Sequence, residues 1–159
     1  MSFSNILVPY DESDAAKHAL TEAVDLVKDN PEAVINVMKV AAPPQEMVYS
    51  RITEPGFGLN ITSVEGAAEF AKKVEEITDE ADKALAAQVN EILGDYAGKV
   101  NMEVVYGVYT VDTILDQAEF HECDLICMGS RGLGAIRGMI GSVSYGVLRN
   151  SEVPVLVVK

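Results

Sequence analysis

The densest chemistry-bearing stretch of the chain is MGSRGLGAIRGMIGSVS, residues 128–144. It holds Gly129, Gly132, Gly134, Gly138 and Gly141, five of the chain's twelve glycines within thirteen positions. Glycine costs conformational entropy, so such a cluster points to close approach of the backbone to a ligand. The stretch follows an apolar, strand-like run and ends where Ser142, Val143 and Ser144 open a short helical segment. A helix start offers unpaired amides and a partial positive charge, and serine hydroxyls add further donors. Together these parts make a phosphate seat. The competing reading is a surface loop with Ser142 as an ordinary helix cap.

Two stock phosphate motifs are missing. A Walker A loop needs Gly-Lys-Ser or Gly-Lys-Thr, and no Lys occurs between Lys99 and Lys159. Without that lysine or a placed base, efficient γ-phosphoryl transfer lacks its usual apparatus. A dinucleotide fingerprint needs G-x-G-x-x-G after the first strand. Here Gly132-x-Gly134 follows the fourth strand and has Arg137 at the third place. The loop reads as one that holds a nucleotide rather than one that runs hydride or kinase chemistry.

The remaining reactive residue types form no site. Cys123 and Cys127 bracket CDLIC, which reads as the start and body of a strand. Four strand residues separate the thiols by roughly 13 Å, too far for a disulfide or one metal ion. The histidines, His18 and His121, complete no four-ligand set and have no nucleophile beside them in sequence. No catalytic residue and no metal held directly by protein ligands is expected. The thiols read as buried strand residues in a reducing compartment.

The elements that must position the loop alternate in type. NILVP is a short buried strand, and YDES after it is a turn in which Ser13 or Asp11 caps a helix stopping near Asn30-Pro31. VINVMKV, Val34 to Val40, is a second strand. Residues 41–65 carry Pro43, Pro44, Pro55, Gly56 and Gly58 with no clean period, which suggests a variable loop or a flap at the ligand edge. A long amphipathic helix spans about Gly66 to Leu93, and its charged face reads as solvated. A third strand (Lys99 to Tyr106), a helix, a fourth strand (Leu125 to Met128), the glycine loop, a last helix and a final strand (Val153 to Lys159) complete the chain. Such alternation specifies an α/β fold, a mainly parallel sheet with helices on both faces. Its ligand crevice lies beyond the carboxyl ends of the strands, at the loops after strands one and four.

Composition narrows the partners. The 159 residues read as one domain, 1–159, with 12 Lys and Arg against 25 Asp and Glu and a net charge of −13. That field repels nucleic-acid backbones and anionic lipid heads, so neither nucleic acid nor a membrane is an expected partner. One small anion held by backbone amides is compatible with it. With no signal peptide and no apolar run of about 20 residues, the expected location is cytoplasmic.

NILVPYDES, CDLICMGSRGLG, GSVS and the closing VPVLVVK together resemble the universal stress protein family, across the whole chain. The resemblance implies a five-stranded parallel sheet of order 3-2-1-4-5, a Rossmann-like fold of the adenine nucleotide alpha hydrolase type. It also implies a dimeric stress-response module, in one branch binding ATP or AMP, with Mg2+ or Mn2+ accompanying ATP. That branch carries G-x2-G-x9-G-(S/T), whereas Gly132 and Gly141 here enclose eight residues, one fewer. Either the loop tightens, with Gly134 and Gly138 absorbing the change, or the triphosphate seat is altered.

By the same resemblance, Pro9, Tyr10 and Asp11 lie at the nucleotide after strand one. Asp11 faces ribose or, through water, the phosphate-bound metal. Val40 offers backbone groups to adenine, and Met128 and Gly129 line the ribose side. Arg131 and Gly132 serve the phosphates, and Gly141, Ser142, Val143 and Ser144 supply donors to the terminal phosphate. Alternatives of other classes are a slow ATPase and a non-nucleotide-binding interaction protein of the same family. An unidentified regulatory protein would read the bound state. The apolar strand Val153 to Lys159, at a sheet edge in that order, is the expected homodimer interface.

Overall fold

The protein is described by a computed structural model covering residues 3–43, 64–133 and 139–159. Most of the 41–65 stretch, and Gly134 and Gly138, lie outside the described residues.

Five short apolar runs form the sheet: β1 (Asn5–Pro9), β2 (Val34–Ala41), β3 (Lys99–Tyr106), β4 (Leu125–Gly129) and β5 (Val155–Val158). All pairings are parallel and the order is β3-β2-β1-β4-β5. Among the described residues four helices connect them: α1 (Asp14–Val27), α2 (Val64–Leu93), α3 (Thr110–Phe120) and α4 (Ser142–Asn150). β5 is shorter than the apolar run that contains it, because Val153 and Pro154 precede the ladder. Pro154 has no N–H to give, and its carbonyl accepts from Ile126.

The two-residue period of each strand divides the core. Ile6, Val8, Ile35, Val37 and Cys127 pack under α1 and α2 with Leu20, Leu85 and Val89. Leu7, Met38, Ile126 and Met128 pack on the other face under α3 and α4 with Ile114 and Val147. β1 and β4, covered on both faces, therefore read as continuous hydrophobic runs.

A polar ladder fixes the register at the amino ends of the strands. Asn101 Nδ2 donates to Asn36 Oδ1 at 2.8 Å, and Asn36 Nδ2 donates to Asn5 Oδ1 at 2.7 Å. Asn5 Nδ2 in turn donates to the carbonyls of His121 and Glu122. Asn36 is buried, so these bonds offset the cost of its amide in the core. His121 Nε2 lies 2.7 Å from Glu103 Oε1 on the same face. The crevice opens at the opposite end of the sheet.

The candidate nucleotide site at the β1 and β4 carboxyl ends

Between β1 and β4 the strand order reverses, and the chain leaves both strands at this point in opposite directions. Pro9 is the last β1 residue in register, opposite Met38, and the Tyr10 N–H donates to the Met38 carbonyl at 2.8 Å. Tyr10 is buried, and burial followed by the carboxylates of Glu12, Asp11 and Glu91 pushes its phenol pKa up. The next three residues turn the chain into α1. Asp11 Oδ1 accepts the Ser13 N–H at 3.1 Å. Ser13 is the helix cap, since its Oγ accepts the Ala16 N–H at 3.2 Å. The same hydroxyl donates to the Arg131 carbonyl at 3.2 Å and so ties the two loops together. Asp11 is thus released from capping, and its second oxygen lies beside Gly132.

The β4 side is built around close approach. A Cβ on Gly129 would stand 2.8 Å from the backbone of Ala15 and Ala16, so only glycine lets α1 lie this near the strand end. Ser130 is buried, and its carbonyl accepts the Gly141 N–H at 2.8 Å, closing the glycine loop at its base. Gly141 is the residue before α4, which makes Ser142 the first helical residue and not the cap. The first helical bond runs from the Tyr145 N–H to the Gly141 carbonyl at 2.9 Å. The amides of Ser142, Val143 and Ser144 precede it and have no intrahelical acceptor. The Ser144 hydroxyl donates to the Gly129 carbonyl at 2.7 Å and is buried. It holds α4 against β4, so any donor Ser144 offers a ligand is its amide.

These loops enclose a cavity of about 530 Å³. Its lining includes all twelve residues singled out from the sequence: Pro9, Tyr10, Asp11, Val40, Met128, Gly129, Arg131, Gly132, Gly141, Ser142, Val143 and Ser144. It also includes Ala16, Met38, Thr110, Ile114, Leu133, Met139 and Ile140. Met38 was legible from the period of two, since it shares a face with Val40. Thr110 and Ile114, one turn apart at the start of α3, were legible only once α3 was known to cover this face. Leu133, Met139 and Ile140 are exposed apolar residues at the mouth, and nothing in their pattern separates them from the rest of the loop.

The cavity has two chemically different ends. Met38, Val40, Ile114 and Met128 make an apolar wall. Val40 also brings backbone: the Met38 carbonyl points toward β1 and the Ala41 carbonyl toward β3. Alternation along the strand turns the N–H and C=O of Val40 toward β1, beyond the Pro9↔Met38 pair where β1's register ends. The other end holds Arg131, Gly132 and the α4 amino terminus. Among the described lining residues Arg131 is the one cation and Asp11 the one anion. An apolar slot with a free donor and acceptor, joined to a helix start beside an arginine, fits a flat heterocycle carrying phosphate.

Comparison with known proteins places the chain in a family. The sequence profile of the universal stress protein family matches residues 2–159. The chain belongs to that family. Universal stress protein MJ0577 of Methanocaldococcus jannaschii is 30% identical over 160 residues, covering 99% of this chain and 95% of the relative. Its solved structure superposes with a TM-score of 0.71 at 26% identity, covering 100% of this chain and 97% of that one. Universal stress protein MJ0531 of the same organism is 29% identical over 158 residues, 99% of this chain and 82% of the relative. A universal stress protein of Archaeoglobus fulgidus, solved in complex with dAMP, shares the fold. Its TM-score is 0.57 at 22% identity, with 100% of both chains covered. The five-stranded parallel sheet of order 3-2-1-4-5 with helices on both faces is the fold of this family.

Proposed function

We propose that this universal stress protein is a regulatory module that binds an adenine nucleotide, ATP or AMP, in the cavity after β1 and β4. The observation that carries the reading is the convergence of the Val40 backbone edge, Asp11, Arg131 and the α4 amino terminus on one cavity. Adenine would lie against Met38, Val40 and Ile114 and read the Val40 N–H and C=O. Ribose hydroxyls would donate to Asp11, and phosphate would take the amides of Ser142, Val143 and Ser144 with Arg131 beside it. The dAMP complex of the Archaeoglobus fulgidus relative supports an adenine nucleotide as the ligand class.

The donor set fits a divalent cation only as a companion of ATP. Asp11 is the one carboxylate among the described lining residues, and no group of three His, Cys, Asp or Glu side chains assembles among the described residues. Mg2+ or Mn2+ would accordingly be held by phosphate oxygens and water, with Asp11 behind the water. No lysine and no histidine lines the described cavity, so turnover of ATP would be slow at most. In this reading the protein acts by being occupied or empty, as a cytoplasmic homodimer, and the exposed apolar rim of Leu133 and Met139 offers a partner protein something to read.

A second reading, an interaction protein without nucleotide, is favoured by the loop between Gly132 and Gly141, one residue shorter than the ATP-binding pattern. Mass spectrometry of what the purified, heat-denatured protein releases separates the two. Released ATP or AMP is the expected result; no released nucleotide, with no binding in a calorimetric titration, removes the first reading.

A further inference from the structure

Glu12 lies between Asp11 and the Ser13 cap with φ at 69°, in the left-handed region that residues with a Cβ rarely occupy. Strained backbone of this kind persists where the surroundings hold it, and it gathers at functional sites. Here the surroundings are specific. The Glu12 carboxylate is bound by the Lys39 ammonium, and the Gln88 side chain adds a smaller influence that favours its charged form. Lys39 stands on β2 between Met38 and Val40, two residues that line the cavity, and its own side chain goes to Glu12. Gln88 comes from α2, which packs on the face of the sheet opposite α3 and α4. The carboxylates of Asp11 and Glu12 thus go to different neighbours, Asp11 to Ser13 and Gly132, Glu12 to Lys39.

We propose that Glu12, clamped by Lys39, is a positioning residue that holds the turn in its left-handed form and so keeps Asp11 directed into the cavity. The proposal rests on the reading of the cavity as a nucleotide site and adds to it a device outside the lining. Lys39 and Glu12 are both partly exposed, so their ion pair contributes little to overall stability and acts mainly on geometry. The depressed pKa of Glu12, caused first by its hydrogen bond with Lys39, agrees with a persistent pair.

A set of variants of the full chain tests this by calorimetric titration with AMP and with ATP. Glu12→Ala and Lys39→Met should each weaken binding by about tenfold, and the double variant should be no weaker than either. Glu12→Gly should bind within about twofold of the wild type, since glycine adopts positive φ without strain. Lys39→Met should then have no effect in the Glu12→Gly background. A through-space charge effect gives the opposite sign at one position: removing the Glu12 carboxylate would tighten binding of an anion. Tighter binding by Glu12→Ala, equal loss in Glu12→Ala and Glu12→Gly, or unchanged affinity in Glu12→Ala would each overturn the proposal. A ligand-free measurement keeps it separate from the nucleotide reading. The Ser13 amide, bonded to Asp11, should lose hydrogen-exchange protection in Glu12→Ala and Lys39→Met and keep it in Glu12→Gly. If the wild type binds neither nucleotide, the site reading falls and the Ser13 amide alone decides; uniform protection across the set overturns the clamp.

Discussion

Asp11 and Gly132 meet across the mouth of the cavity: a Cβ on Gly132 would stand 2.6 Å from Asp11 Oδ2. The atom it meets is the far end of a flexible side chain, so a larger residue would displace the carboxylate before it strained the fold. Gly132→Val is accordingly expected to abolish nucleotide binding by two routes, turning Asp11 aside and filling space beside Arg131. Gly132 is exposed, so the melting temperature should stay within a few degrees of the wild type. Calorimetry and a thermal melt on the same sample check both halves, and retained affinity would count against the site.

Gly129 makes the contrasting case. Its missing Cβ faces backbone, 2.8 Å from the Ala15 carbonyl carbon and the Ala16 nitrogen, and backbone cannot rotate away. Gly129→Ala should push α1 off β4 and cost about 1–3 kcal/mol, as overpacking does. Urea unfolding should show a lower midpoint. Since α1 carries the Ser13 bridge to the Arg131 carbonyl, nucleotide affinity should fall in parallel.

The two thiols give a prediction in pH. Burial first pushes Cys123 up to about 11 and Cys127 up to about 12, from an ordinary value near 9. The Cys127 thiol also donates to the Ala19 carbonyl at 3.2 Å. Below about pH 9 both states hold the thiols neutral, and these groups leave stability unchanged. Above it the unfolded chain ionises first, so stability falls as pH rises from about 9 through the folded values near 11 and 12. Replacing both cysteines by alanine should flatten that decline in urea titrations at pH 8 and 10, while lowering stability at pH 8 through lost packing. At pH 8 a thiol reagent should label the native wild type only as fast as it opens.

Sequence and structure agree most closely where one physical rule acts alone. The strand-helix alternation dictated a parallel sheet, and the family resemblance supplied its order; both stand in the structure. The twelve candidate residues come together because all lie at strand carboxyl ends or at a helix start, which topology gathers into one crevice. What stayed illegible depended on tertiary partners. The tie from the Ser13 cap to the Arg131 carbonyl joins residues more than a hundred positions apart. The Ser144 hydroxyl resembled a phosphate donor until the Gly129 carbonyl was found beneath it. Glu12 gave no signal, since its left-handed backbone is accompanied by an ion pair with Lys39, which is not near it in sequence.

Assembly is the last expectation, and the two sheet edges argue it. β3 ends the sheet on one side with Lys99, Asn101 and Glu103 along its length, the charged and polar residues that discourage strand addition. β5 ends it on the other side with Val155, Leu156, Val157 and Val158, each half-buried in the single chain. Leu156 and Val158 pack toward α1 and Val155 toward α3 and α4, which leaves Val157 outside both core clusters. Tyr145 and Leu148 on α4 are also exposed, at 53% and 49%. Pairing β5 with its twin across a two-fold axis would satisfy the open edge and cover apolar surface in one step. Light scattering at micromolar concentration should therefore report a dimer for the wild type. Val157→Lys should convert it to a monomer without changing the far-ultraviolet circular dichroism, because Val157 supports neither core cluster. A monomeric wild type would remove the homodimer, and a fully dimeric Val157→Lys would move the interface away from β5.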